Sequence, residues 1–410
     1  MPAGIIGPLA LARFGVVGIY SDNPHDVLWR LASERRRSAG GEVVAVVGGN
    51  GKTTVTQLLK HVFRSISSLN HGTEGNQNNR IGVPLTLLQL PVNSAGGDRY
   101  CAVELGTSSP GEILPLASLV KPSVAVITNS HREHQSQFGT AYGSAAENAH
   151  VLDPMEDGWL VAPADDPFLD VWRNRNSAIK VLTFSGGIPA DVYASYMPDN
   201  QICVSTPAGF SQFSNRRLMG DHSLRNIAAA AAGALAVGVS LDCFCLAASS
   251  FVPPNGRLTR CDIRNGSKQI VLIDDSYNAN PDSVEAAIAV LASFPGSRLL
   301  ILSDMAECGT PEREIHRSLG KIAHDRGIDA VWSIGQASSA ASRLFGIDGR
   351  HFRDLYRALN TVNEALDFDV ILVKGSRRFR LEHLVREIKT IAKQRATEPP
   401  LGGRGLSADV

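Results

Sequence analysis

Seven consecutive residues, Gly48-Gly49-Asn50-Gly51-Lys52-Thr53-Thr54, stand between an apolar β-branched run, VVAVV (43–47), and a stretch with helical spacing. Glycines at a strand-to-helix turn let backbone N–H groups and the helix N-terminus converge on a phosphate. Lys52 then neutralises terminal phosphate charge, and the Thr53 hydroxyl offers an oxygen ligand to a hard cation such as Mg²⁺. Gly48, Asn50, Gly51 and Thr54 complete the candidate cradle for a nucleotide. The alternative is a plain Gly-rich turn, common wherever a strand meets a helix. Glycine, lysine and two threonines together in this context favour the phosphate loop. The longer G-x-x-x-x-G-K-T form would need glycine where Val46 stands, so this is the shorter G-x-x-G-K-T-T form.

Such a loop needs a rigid frame. Apolar β-rich runs recur at YCAVEL (100–105), SVAVITN (123–129), QIVLIDD (269–275), SRLLILSD (297–304), DAVWSIG (329–335) and DVILVKG (369–375). Helices are predicted at 52–68, 222–238, 282–293, 312–326 and 380–394, and PHDVLWRLASERRR (24–37) places Val27, Leu28 and Leu31 on one side of a further helix. Apolar strands alternating with helices mark parallel sheets covered on both faces, so the class is α/β. Segment 183–220 reads instead as irregular or antiparallel β structure. FVPPNGRL (251–258) is the expected junction between a central parallel-sheet domain at 41–254 and a smaller Rossmann-like C-terminal domain at 255–395. Residues 1–40 are expected to form a remnant N-terminal segment and linker helix, and the loop-like tail 396–410 to be disordered.

The 410 residues carry 40 Lys+Arg against 40 Asp+Glu, a formal net charge of zero. No global field exists to hold nucleic acid or an anionic membrane, so neither is expected as a partner and any phosphate must be bound locally. A hydrophobic content of 43% with 20% charged residues suits a chain that folds in water. The six cysteines (101, 203, 243, 245, 261 and 308) lack C-x-x-C pairs and zinc-ribbon spacing, and read as reduced thiols of a cytoplasmic protein. The apolar N-terminus has no basic flank and is interrupted by Pro8 and Arg13, against a signal peptide. No other stretch nears the roughly 18 apolar residues of a membrane span.

Further motifs follow the phosphate loop in order: GNQNNRIGVPLTLL (75–88), AVELGTSSPGEI (102–113), ITN (127–129) with His134 and Phe138-Gly139, HSLRNIAAAAA (222–232), NGR (255–257), DDSYNANPDSVEAAI (274–288), DMAECG (304–309) and LVKGSR (372–377). Together these resemble the Mur ligase family, and YNANP and KGSR are most similar to its MurF-type branch. The resemblance implies a P-loop ATPase domain followed by a ligase domain. It implies that ATP phosphorylates a carboxylate and that an amine displaces the phosphate to form an amide. The implied Mg²⁺ ligands are Thr53, Glu104 and His134, with Lys52, Glu104, His134 and Arg257 as catalytic residues. ATP contacts are implied for Asn226, Arg257, Asp275 and Tyr277 beside the loop. Asn76, Asn78 and Asn79 would face the carboxylate acceptor, and Asn278, Asn280, Lys374, Ser376 and Arg377 the incoming amine, an amino acid or dipeptide such as D-alanyl-D-alanine. Plainer readings stand beside these. Glu104 is also a strand-end residue, His134 a surface loop histidine, Asn76–Asn79 a turn, and Asp304 and His316 structural.

Two features depart from the resemblance. Relatives carry a lysine a short way beyond the Phe-Gly pair, modified to a carbamate that helps hold a second metal. The equivalent here is Asn148, and a neutral amide cannot become a carbamate. Glu147 and Glu133 are the carboxylates able to deputise, while the usual acidic residue two beyond the metal histidine is Ser136. The implied outcomes are a single-metal ligase, a slower one, or a nucleotide-binding pseudoenzyme that partners an active ligase; the intact Lys52, Thr53, Glu104, His134, Arg257 and Asp275 favour catalysis. In addition, relatives have a whole UDP-binding domain before the linker helix, and residues 1–40 are too few for it. Either the acceptor is an acid other than a UDP-muramoyl peptide, as in specialised-metabolite ligation, or a partner chain supplies that platform.

Overall fold

The structure is a computed structural model that describes residues 21–91, 98–131, 135–305 and 311–397. The first sheet is built by strands β1 (Glu42–Val47), β2 (Asn70–Gly72), β3 (Tyr100–Glu104), β4 (Val124–Ile127), β5 (Trp159–Pro163), β6 (Lys180–Gly186), β7 (Val192–Tyr196), β8 (Gln201–Thr206) and β9 (Gly209–Ser214). Its order is β2-β3-β1-β4-β5-β6-β7-β8-β9, parallel from β2 to β7 and antiparallel at the β7–β8 and β8–β9 pairs. The order reverses around β1, with β3 on one side and β4 on the other, which opens a crevice beyond their carboxyl ends. The register Val46↔Glu104 and Val47↔Ile127 sets the ends of those three strands side by side.

Both faces of this sheet are covered, as continuous apolar strands require. Helices α1 (Pro24–Ala39), α3 (Gly82–Leu88), α4 (Ile113–Val120) and α5 (Ala141–Ala149) pack with Val43, Ala45 and Val47 on one face. Helix α2 (Lys52–Ile66), helix α6 (Asp221–Ala236) and helix α7 (Leu241–Ser250) pack with Val44, Val46 and Val126 on the other. The run Ala228–Ala232 lets α6 lie close to the strands. At Gly233 even a Cβ would press on Val126 Cγ2 at 3.2 Å, so longer side chains would lift the helix off the sheet.

The second sheet comprises β10 (Thr259–Asn265), β11 (Lys268–Asp275), β12 (Arg298–Ser303), β13 (Ala330–Ile334), β14 (Gly349–Phe352) and β15 (Val370–Lys374), in the order β10-β11-β15-β12-β13-β14. All its pairs are parallel except β10–β11. Helices α8 (Pro281–Ala292) and α9 (Glu312–Asp325) cover one face through Val284, Ile288, Leu291 and Leu319, and α10 (Glu382–Thr397) covers the other through Leu384, Val385 and Ile388. Asn280 starts α8 with a reciprocal cap: its Oδ1 accepts the Ser283 N–H at 2.9 Å while its own N–H donates to Ser283 Oγ at 3.0 Å, and Pro281 takes the first helical position.

The class is α/β, as the sequence predicts, and the differences are local. Segment 183–220 contains the parallel strand β7 as well as an antiparallel hairpin. The edge strand β10 is an antiparallel addition that the sequence pattern does not announce. Asp304 accepts the Gln336 and Ser338 N–H groups at 2.8 and 2.7 Å, and His316 bridges the Met305 N–H and the Glu312 carbonyl, so both have structural work in this half. No helix among the described residues is long and apolar enough to cross a membrane.

Candidate active site

The loop after β1 takes a shape that only its own residues allow. Gly48 and Gly51 have φ of +118° and +91°, in the region that favours glycine, and a Cβ on Gly51 would overlap the Asn226 amide at the start of α6. Asn129, at the end of β4, brackets the loop from below. Its backbone carbonyl accepts the Gly49 N–H at 3.1 Å, its Oδ1 accepts the Asn50 N–H at 3.0 Å, and its Nδ2 donates to the Asn50 carbonyl at 2.8 Å. Lys52 Nζ folds back on the Gly48 and Gly49 carbonyls at 2.5 and 2.7 Å. Helix α2 carries no side-chain cap, which leaves first-turn N–H groups to a ligand.

Glu104 ends β3 beside this loop and is 2% exposed. Its Oε1 accepts Asn78 Nδ2 at 2.8 Å, while Oε2 is buried with no hydrogen-bond partner among the described residues. An unpartnered buried carboxylate oxygen is costly, and a cation relieves it. With the Thr53 hydroxyl lining the same cleft, the donor set is all oxygen, which suits Mg²⁺. His134, the third ligand expected from the sequence, lies outside the described residues. No cluster of three or more His, Cys, Asp or Glu side chains occurs among the described ones.

The second half of the molecule closes a cleft of about 300 Å³ over the loop. Arg257 Nη2 donates to Thr53 Oγ1 at 2.8 Å, and its guanidinium lies 4.3 Å from the centre of the Tyr277 ring; Arg377 lies 5.6 Å from the same ring. Asn50 and Asn280 exchange amide hydrogen bonds at 2.8 and 3.3 Å across the cleft, with His131 Nδ1 as a further acceptor for Asn50 at 3.2 Å. Lys374, at the end of β15, is paired with Asp275 of β11 at 2.7 Å and donates to the Asn278 carbonyl at 3.0 Å. Asp275 also accepts the Leu258 N–H at 3.1 Å. Burial holds the His222 imidazole in the cleft wall below its ordinary pKa; Asp275 pulls the other way and Lys374 adds to the depression.

The chain matches known proteins over most of its length. Residues 46–234 match the Mur ligase middle domain and residues 259–377 the Mur ligase, glutamate ligase domain. The chain is 33% identical over 371 residues to the UDP-N-acetylmuramoyl-tripeptide–D-alanyl-D-alanine ligase of Escherichia coli (strain K12), covering 88% of this chain and 79% of that one. The chain belongs to the Mur ligase family. The enzyme of the same name from Bacillus subtilis (strain 168) is 30% identical, over 90% of this chain and 80% of that one. A crystal structure of MurF from Acinetobacter baumannii superposes with a TM-score of 0.80 at 29% identity, covering 92% of this chain and 82% of that one. MurF from Thermotoga maritima in complex with ADP shares the fold, with a TM-score of 0.77 at 23% identity over 92% and 86% of the two chains.

In this Mur ligase the cleft is lined by Asn50, Gly51, Lys52, Thr53, Thr54, Asn78, Glu104, Asn226, Arg257, Asp275, Tyr277, Asn278, Asn280 and Lys374, all singled out in the sequence. Others of that set lie apart. Gly48 is buried and is not among the residues lining the cleft, Asn76 is exposed, and Asn79 uses its Oδ1 to accept the Ile81 and Gly82 N–H groups, the turn role that its residue type also allows. Ser376 is 1% exposed with its Oγ unpartnered among the described residues, and Arg377 reaches the cleft only through the Tyr277 ring. Glu147 is committed elsewhere: its carboxylate collects the N–H groups of Gly111, Glu112 and Ile113 at 2.8–2.9 Å at the start of α4, and it does not line the cleft. Glu133 and the side chain of Ser136 lie outside the described residues. Sequence reasoning assigned no role to Asn129 or His131, although the first belongs to the ITN motif, nor to His222 and Arg225 in the cleft wall.

Proposed function

We propose that this chain is an ATP-dependent amide ligase of MurF type, with a UDP-muramoyl tripeptide as the acid and D-alanyl-D-alanine as the amine. The observation that carries the reading is the meeting, in one cleft, of a phosphate loop with an uncapped helix and a buried carboxylate with one oxygen unsatisfied among the described residues. The substrates follow from the names of the relatives. We assign nucleotide binding to the half around residues 41–254 and closure to the half around 255–395. A cytoplasmic setting is part of the proposal, since the reaction consumes ATP.

The chain's own groups divide the work. Loop N–H groups and the α2 terminus stabilise phosphate charge, and Lys52 exchanges two carbonyl acceptors for phosphate oxygens. Arg257 brings a second positive charge to Thr53 from the closing half, so closure and charge neutralisation are one event. Thr53 and Glu104 would hold Mg²⁺, which supplies electrostatic stabilisation of the transferring phosphoryl group. The closed cleft excludes water from the acyl phosphate until the amine arrives beside Lys374 and Asn278.

Phosphate release from Mg-ATP, with mass spectrometry of the products, tests the proposal. The muramoyl pentapeptide is expected when UDP-muramoyl tripeptide and D-alanyl-D-alanine are both present, with no phosphate when either is omitted. Phosphate appearing only with another acid would replace the acceptor. ATP binding with no turnover across a panel of acids and amines would overturn the ligase reading.

A further inference from the structure

Gly48 is held on both sides. Its carbonyl accepts Lys52 Nζ, and its N–H donates to Asn148 Oδ1 at 3.1 Å. Asn148 stands in the last turn of α5 and is 1% exposed, and its Nδ2 donates to the Ser144 carbonyl at 2.9 Å, one turn earlier in the same helix. With one end of the amide donating and the other accepting, a flip would place two N–H groups face to face at Gly48. The helix is itself anchored. Thr140 caps its start by accepting the Gly143 N–H, Trp172 Nε1 donates to the Ala145 carbonyl at 3.0 Å, and neighbouring Glu147 binds the turn before α4.

The two bonds on Gly48 differ in what becomes of them. In the nucleotide reading, Lys52 would give up the Gly48 and Gly49 carbonyls as its ammonium turned to a phosphate, whereas Asn148 is not among the described residues that line the cleft. We propose that Asn148 is a positioning residue of the phosphate loop, holding the Gly48 peptide so that the loop keeps its shape when Lys52 leaves it. With Oδ1 turned to Gly48 and Nδ2 to Ser144, the Asn148 amide faces the loop backbone and its own helix, and the lysine carbamate that the resemblance implied cannot form at position 148. The inference rests on the nucleotide site proposed above.

The test uses ADP binding by calorimetry and steady-state kinetics on the full chain. Asn148→Leu conserves volume and removes the acceptor, leaving the Gly48 N–H buried without a partner. The expected result is about a tenfold rise in the ADP dissociation constant and in KM for ATP, with kcat and KM for acid and amine within about twofold of the parent. Asn148→Asp keeps an acceptor towards Gly48 while setting its other oxygen against the Ser144 carbonyl, and is expected to recover part of the loss. Thermal melts establish that each variant is folded; should the Leu variant not be, Asn148→Ser, whose hydroxyl is too short to reach Gly48, takes the same readings. Three results overturn the inference: ADP affinity unchanged in a folded variant without the acceptor, a loss spread equally over all three substrates, or an Asp variant as weak as the Leu one. If the parent itself fails to bind ADP, the nucleotide reading falls and this inference with it; if the parent binds and the variant binds equally, only the role of Asn148 is lost.

Discussion

Both sheets gather polar groups at the carboxyl ends of adjacent parallel strands, but the groups are left in opposite conditions. In the first sheet β1, β3 and β4 lead into a loop with uncapped N–H groups, into Glu104, whose Oε2 has no partner among the described residues, and into Asn129. In the second, β11 and β15 end in Asp275 and Lys374, whose side chains are 13% and 3% exposed and satisfy each other. The first arrangement has unmet electrostatic demand and so calls for phosphate and cation. The second is already neutral, and its product is geometry: it fixes Asn278 through its carbonyl and Leu258 through its N–H. Ionisable residues at strand ends are therefore not equivalent signs of chemistry, and the unpaired valence is the better guide.

That contrast can be broken from either side. The largest effect is expected from Lys374→Met, which strands Asp275 as a buried charge and costs about 3–5 kcal/mol of stability. Chemical denaturation measures it, and Lys374→Met combined with Asp275→Leu should recover much of the loss. Lys52→Ala belongs to the other sheet and should do the reverse, lowering turnover by at least about 10²-fold with little change in melting temperature. A variant pattern with these two results exchanged would dissolve the distinction.

The bridge between the two halves gives a smaller signal. Asn280→Ser retains a good helix cap and removes the amide pair with Asn50, so KM for ATP should rise by up to about fivefold, the worth of one hydrogen bond. Asn50→Ala in that background should add little more, since both changes delete one interaction. The smallest effect is at Asp369, far from the cleft. The Ser297 backbone N–H, with help from Lys268, draws this carboxyl down from its ordinary value to about 2. The stabilisation is therefore complete above about pH 4 and disappears as pH falls through about 2. At 43% exposure of the side chain it amounts to well under about 1 kcal/mol. Melting temperatures of Asp369→Asn should fall slightly below the parent at neutral pH and meet it at about pH 2.

How much of this could be read from the chain follows from how local each feature is. The phosphate loop was legible because its backbone conformation demands glycine at 48 and 51 and places Lys52 and Thr53 on the next helical turn, all within seven residues. The family motifs carried Glu104, Arg257, Asp275 and Lys374 to their places. Asn129, His131 and Asn148 acquire their roles only when β4 and α5 are set beside β1, an arrangement no local pattern encodes. Asn79 and Glu147 show the converse: residue types able to do chemistry are taken up by backbone N–H groups, one at a turn and one at the start of α4. β7 was obscured by its setting, since VYASY alternates like an exposed strand although it pairs in parallel with β6.

The bare oxygen of Glu104 also bears on how the folded chain responds to ions. A buried carboxylate oxygen with no partner among the described residues raises the free energy of the cation-free native state, and cation occupancy would lower it by RT ln(1 + [L]/Kd), with no matching gain for the unfolded chain. Heat resistance becomes a titration curve. If Glu104 holds a cation as proposed, melting temperature should climb with free Mg²⁺ in the absence of nucleotide and of turnover, so the fold itself would serve as a gauge of cation occupancy.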